Sequence, residues 1–148
     1  MLRIKNLSVA YDRPIFSNIN IDFEKKVYGI EGKSGIGKST FIKAILGIVP
    51  YTGKILYEGR ELKKARDRLG FQVVFQNPFF SFHPQKRIKR AFEEMFFWNN
   101  SKTQGVETEI GKAIEIAKLP LSALDKYPSN FSGGELQRLA IARALLGK

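Results

Sequence analysis

Apolar and polar positions alternate through residues 2–10 and again through 19–24, where Ile19, Ile21 and Phe23 fall on one side. A two-residue period predicts half-exposed strands. Asp12, Arg13 and Pro14 between them read as a turn. Residues 27–31 (Val-Tyr-Gly-Ile-Glu) are short and partly apolar, and are expected to form a strand running into the loop that follows. The period then changes. Phe41, Ile42, Ile45 and Leu46 recur at helical spacing, and Gly47 and Pro50 end that helix. Residues 53–57 predict another short strand, with Glu58 and Gly59 as its exit turn. Phe71, Val73, Val74 and Phe75 make an apolar run that predicts a buried strand.

Beyond that run the pattern becomes helical. Residues 77–83, closed by Pro84, carry two prolines within or beside them and no period, so a loop is expected. Ile88, Ala91, Phe92, Met95 and Phe96 place one apolar stripe on a helix over 87–98. A polar connector over 99–105 leads to a second helix over 110–119, which Pro120 ends. Leu136, Leu139, Ala140, Ala144 and Leu145 mark the buried face of a third. The middle of this region is rich in aromatics: Phe79, Phe80, Phe82, Phe92, Phe96, Phe97 and Trp98. Adjacent pairs such as Phe79-Phe80 and Phe96-Phe97 cannot all face one side. Two readings stand, core packing and a surface for a partner helix.

Composition narrows the class. At 148 residues, 43% hydrophobic and 26% charged, the chain suits one soluble domain with a real core. It has no Cys, which excludes a disulfide framework, thiol chemistry and thiolate metal sites. No apolar stretch reaches the ~18 residues that span a bilayer, and the N-terminal residues do not read as a signal peptide. Any membrane-spanning part is therefore expected on another chain. The net charge is +11, and residues 54–90 hold ten Lys/Arg against three Asp/Glu, a net of +7. Such a patch suits nucleic acid, an anionic membrane surface, or simply a solvated face.

The chemistry starts at residues 32–40, Gly-Lys-Ser-Gly-Ile-Gly-Lys-Ser-Thr. Gly32, Gly37, Lys38 and Ser39 satisfy G-x-x-x-x-G-K-[ST], a phosphate-binding loop. A triphosphate packs several negative charges into a small volume, and successive backbone N–H groups wrap it when the chain takes conformations that favour glycine. Gly35 and Gly37 are the expected points of closest approach, with Ser34 between the first glycines. Lys38 is expected on the β- and γ-phosphates and the Ser39 hydroxyl on Mg²⁺. Thr40 falls in the first helical turn, whose dipole favours the anion.

A second motif stands at residues 131–138, Phe-Ser-Gly-Gly-Glu-Leu-Gln-Arg. Ser132 is a good N-cap and Glu135 follows at the capping-box spacing. Ser132, Gly133 and Gly134 then lie at a helix N-terminus, a second anion site. Two phosphate-facing sites in one domain suggest a nucleotide held between two copies.

From about Leu2 to its last residue the chain resembles the nucleotide-binding subunit of ABC transporters. The glycine-rich loop is similar to Walker A, and Phe131 to Glu135 resemble the family's Leu-Ser-Gly-Gly-Gln signature, with Phe for Leu and Glu for Gln. The resemblance implies an α/β fold: a P-loop NTPase (RecA-like) core with an N-terminal antiparallel β-layer and a helical subdomain, its C-terminal part missing. On that pattern residues 1–148 are a single incomplete domain. Residues 1–76 are the β-layer and P-loop core, 77–131 the helical subdomain, and 132–148 the signature helix.

Tyr11 matches the aromatic that stacks on adenine, an interaction of about 1–3 kcal/mol; the alternative is local core packing. Gln76 matches the Q-loop glutamine, a Mg²⁺ ligand or water-orienting group, at the C-terminal end of the expected strand where open α/β sheets bind ligands. The alternative is a solvated side chain. Lys38 and Gln76 are thus the expected catalytic residues. Tyr11, Gly32, Ser34, Gly35, Gly37, Lys38, Ser39, Thr40, Ser132, Gly133, Gly134 and Glu135 are expected to bind ATP, and Ser39 and Gln76 to ligate Mg²⁺.

The stretch from Gln76 through the basic pair Lys86-Arg87 is similar to the peptide and nickel importer branch, departing from it at Phe82 and His83. The implied role is the ATP-binding subunit of an importer, at the cytoplasmic face of the membrane. Its implied partners are a transmembrane permease and a second nucleotide-binding domain, and nucleic acid is not expected. The family's Walker B carboxylates and switch histidine follow Lys148 in its motif order; His83, in a Pro-flanked loop, is not that histidine. The expectation is therefore a partial cassette whose intact parent hydrolyses ATP. Its carboxylate-rich missing segment would balance the basic patch. Two alternatives are a non-catalytic nucleotide-binding remnant and an ABC-type ATPase acting on nucleic acid or ribosomes.

Overall fold

Our computed structural model describes residues 1–68, 70–99 and 105–146. The expected connector at 99–105 falls almost wholly outside these, and nothing is described of the Trp98 side chain. The chain divides into two compact units, Met1–Leu69 and Gly70–Lys148.

The first unit is built on a four-stranded antiparallel sheet, order β2-β1-β3-β4. Its strands are β1 (Leu2–Ala10), β2 (Pro14–Phe23), β3 (Thr52–Tyr57) and β4 (Arg60–Glu61). β1 is an inner strand: Ile4 faces Ile21 of β2 and Ile55 of β3. Its alternation is broken once. Ile4, Leu7 and Val9 are all buried, a spacing of three and then two. The step is taken by a register shift between Ile4 and Leu7, with Asn6 at φ 51 and its amide bonded to Asn20 Oδ1 at 2.9 Å. Such a bulge turns the following residues back onto the buried face.

Helix α1 (Lys38–Ile45) packs its buried Phe41, Ala44 and Ile45 in this unit, with Phe41 6.0 Å from the ring of Phe16 and 6.5 Å from that of Phe23. Its end is anchored by a side chain that the sequence pattern does not single out. Arg68 is buried and donates from Nε to the Ile45 carbonyl at 2.8 Å. It also donates to the Lys64 carbonyl at 3.2 Å and to the Tyr51 hydroxyl at 2.7 Å. A cation at a helix C-terminus satisfies a free carbonyl and the helix dipole together. Gly47 (φ 70) makes room for it: a Cβ there would lie 3.0 Å from the guanidinium.

The second unit is helical, with α2 (Ile88–Asn99), α3 (Val106–Ile116) and α4 (Gly133–Leu146). Phe92, Ile88, Ile114, Leu136 and Leu139 are the largest fully buried side chains of its core, with Phe82 and Ile110 beside them. The α2 stripe is as the spacing predicts. On α4 the buried set is Leu136, Leu139, Ala140 and Ala142, while Ala144, expected buried, is half-buried and Leu145 is exposed. The expected burial of Leu145 is corrected: the helix turns it away from the α2–α3 side, and Ala142 takes the inner position.

Two expected strands are absent. Residues 27–31 carry no strand, and Val27 is fully exposed. Residues 71–75 carry none either, and Val74 and Phe75 are exposed instead of buried. An apolar run becomes a central strand only when lateral neighbours pair with it and both faces are covered. The only sheet among the described residues, β2-β1-β3-β4, includes neither run.

Candidate functional site

The phosphate-loop motif lies in the first unit between the end of the β1–β2 hairpin and α1. Gly32, Gly35 and Gly37 all have positive φ, at 153, 81 and 104. Gly37 occupies the N-cap of α1 in the left-handed region, and no side chain caps that end. A side chain at Gly37 would also collide with Ile15 Cγ2, 2.7 Å from where its Cβ would stand. The first-turn amides of Lys38, Ser39 and Thr40 are thereby left for an anion. Lys38 arcs back over the loop, and its Nζ donates to the carbonyls of Gly32 at 2.7 Å and Lys33 at 2.9 Å. The ammonium is held by the loop it belongs to. Ser34, Gly35 and Ser39 are exposed, while Gly37, Lys38 and Thr40 are half-buried. Open amides, one fixed ammonium and a first-turn hydroxyl fit a magnesium-bound polyphosphate.

Tyr11 stands at the tip of the β1–β2 turn and is 55% exposed.

The second motif lies in the other unit. Ser132 and Glu135 close a reciprocal capping box at the head of α4. The Ser132 amide and hydroxyl each donate to Glu135 Oε2 at 2.8 Å, and the Glu135 amide donates to Ser132 Oγ at 3.4 Å. These bonds hold the Glu135 carboxyl below its usual range, the Ser132 amide first and its hydroxyl second, with Arg138 and Lys126 adding to the effect. Gly133 and Gly134 are exposed, with open space around Gly133. Arg138 and Arg143, in the same helix, are structural. Arg138 Nε donates to the Ala117 carbonyl at 2.9 Å. Arg143 donates to the Ser81 carbonyl and lies 5.1 Å from the centre of the Phe82 ring. Burial lowers the Arg143 pKa, and Glu94 opposes that shift.

Gln76 is also in the second unit and is exposed, with Phe75, Phe79 and Phe80 around the same open concavity of ≈ 600 Å³. The turn after it is set by Asn77, whose Oδ1 accepts from the Phe79 amide at 3.0 Å ahead of a 3₁₀ turn at Pro78–Ser81. The aromatic group splits. Phe82, Phe92 and Phe96 are core, whereas Phe79, Phe80 and Phe97 are exposed, Phe80 to 78%. His83 is occupied locally, its Nδ1 accepting from the Gln85 amide at 3.2 Å.

These features place the chain among ATP-binding cassette folds. A dimeric bacterial ABC transporter cassette, MJ0796, superposes with a TM-score of 0.82 at 24% identity, covering 99% of this chain and 70% of that one. A second structure of that cassette, in a post-hydrolysis state bound to ADP and Pi, gives 0.81. The family described as ABC transporter matches residues 16–148, and the chain belongs to it.

Among curated relatives, the oligopeptide transport ATP-binding protein OppF of Lactococcus lactis subsp. lactis is 38% identical over 132 residues, covering 82% of this chain and 41% of that protein. A putative peptide import ATP-binding protein of Brucella ovis is 34% identical over 161 residues, covering 98% and 50%. The dipeptide transport ATP-binding protein DppF of Escherichia coli is 37% identical over 131 residues, covering 82% and 39%. The chain thus spans about half the length, or less, of the curated relatives it matches.

Proposed function

We propose that this chain is the ATP-binding part of the energising subunit of a peptide-importing ABC transporter. The observation that carries the reading is the open N-terminus of α1, with Gly37 as its cap and Lys38 folded over the loop. Bound there, magnesium–ATP supplies the phosphoanhydride that such subunits use to drive transport. Gly32, Ser34, Gly35 and Gly37 form the backbone cradle. Lys38 and Thr40 serve the phosphates, Ser39 holds the metal, and Tyr11 stacks on the base, while Gln76 keeps the Q-loop role that the family pattern gives it. On binding, Lys38 exchanges its two carbonyl partners for phosphate oxygens. Ser132, Gly133, Gly134 and Glu135 present the head of α4 to the nucleotide of a second cassette. Peptide import is supported by the names of the relatives matched.

The exposed aromatics Phe79 and Phe80 then receive a helix of the permease, at the cytoplasmic face of the membrane. Titration with a fluorescent ATP analogue and Mg²⁺ tests the nucleotide site. The parent chain binds, and Lys38→Ala weakens binding by at least about tenfold, the loss of one charge-assisted contact. Equal affinity of parent and variant would remove the reading.

A further inference from the structure

We propose that the basic concavity at the start of α2 binds the phosphate-bearing headgroups of anionic phospholipids, so that this face of the second unit touches the bilayer directly. Lys86, Arg87, Lys89 and Arg90 place four cations within five consecutive residues. Together with Gln85, Glu93 and Tyr127 they line an open concavity of ≈ 410 Å³, ample for a phosphodiester.

Three carboxylates answer the four cations. Lys86 and Arg90 pair with Glu94 at 3.0 and 3.1 Å, Arg87 with Asp125 at 3.6 Å, and Lys89 with Glu93 at 3.9 Å. Most of these side chains are well exposed, and exposed pairs of this kind hold weakly, so an incoming phosphate exchanges with them readily. Arg87 also lies 5.9 Å from the centre of the Tyr127 ring, which leaves an aromatic beside a cation, the pairing that suits the headgroup layer.

A second concavity is lined by Phe79, Phe80, Pro84 and Pro128. The two are neighbours along the chain, since Pro84 precedes Gln85 and Pro128 follows Tyr127. The inference rests on the reading that this aromatic slot faces a membrane subunit; the basic face then flanks the protein contact at membrane level. A bilayer suits the surface better than a nucleic acid does. It offers headgroup phosphates in a plane, where the interspersed Glu93, Glu94 and Asp125 can stay solvated, while a polyanion tracking a groove would run against them.

The test is co-sedimentation of the full chain with vesicles of equal parts phosphatidylglycerol and phosphatidylcholine, against phosphatidylcholine alone. Binding is expected only to the anionic vesicles and is expected to fade as salt shortens the screening length. Lys86→Glu with Arg90→Glu should weaken it by at least about tenfold. Lys25→Glu with Lys26→Glu, matched in charge but in the first unit, should leave it unchanged, and circular dichroism confirms that both variants fold. Phe80→Ser should also leave vesicle binding unchanged while abolishing co-purification with a permease, so the slot and the headgroup site fail separately. Equal binding to neutral vesicles, indifference to the Lys86/Arg90 change, or preference of the same residues for a DNA duplex over vesicles would overturn the proposal.

Discussion

At the level of single residues, the site is a matter of which backbone groups are left unsatisfied and which are already taken. The head of α1 is open because Gly37 caps it without a side chain. Gly37→Ala puts a Cβ against Ile15 in a left-handed backbone, and is expected to cost more than about 1 kcal/mol, read from the urea midpoint.

The head of α4 is the opposite case, since Ser132 and Glu135 satisfy each other there. Glu135 is ionised more readily in the folded chain than its ordinary 4.5. Its contribution is therefore complete above about pH 4.5 and is lost as pH falls through the lower folded value. Amide exchange of the first turn of α4 should quicken across that acidic window in the parent. In Glu135→Gln, which keeps a capping side chain without a titrating charge, it should not. A parent profile flat down to the lower pKa would contradict the assignment. The motif residues were legible in the sequence because their types follow from charge and backbone conformation. The occupation of Glu135 followed from capping-box spacing, whereas the arc of Lys38 onto two carbonyls had no signal in the pattern.

Among the elements, helices were easier to read than strands. The α2 stripe of Ile88, Phe92 and Phe96 follows from a period that one helix can satisfy in contact with two neighbours. Phe92→Ala should destabilise the second unit by about 3–5 kcal/mol, measured by chemical denaturation, because the ring is wholly buried. The runs at 27–31 and 71–75 have apolar composition just as clearly, yet neither forms a strand. A strand needs a neighbour that its own sequence does not specify. Leu145 was misplaced for a related reason: helical spacing gives a stripe, but the neighbours decide where the stripe ends. Arg68 was missed altogether, since an arginine in a basic run carries no mark of burial. Arg68→Met should cost about 2 kcal/mol in the first unit, through the loss of a charged bond to the Ile45 carbonyl, and thermal unfolding would show it.

Taken whole, the chain presents apolar side chains to solvent in both units: Val27, Ile30 and Ile48 in the first, Val74, Phe75 and Phe80 in the second. Exposed apolar side chains of this size favour contact with other chains where they cluster. The 148-residue chain by itself is expected to enhance anilinonaphthalene sulfonate fluorescence and to elute from a sizing column earlier as its concentration rises. A dark, concentration-independent monomer would argue against those surfaces being sticky. Its net charge of +11 opposes aggregation, so high salt should favour association. The arginine clasp on α1 has a mechanical meaning at this scale. A helix of eight residues is about 12 Å long. With its tail tied to Tyr51 and residue 64 through Arg68, it cannot recoil when charge pulls on its head. Compliance is then confined to the six residues 32–37. The loop then acts as a soft spring on a fixed post, and a ligand there is expected to bend its glycines before it moves the tail of the helix.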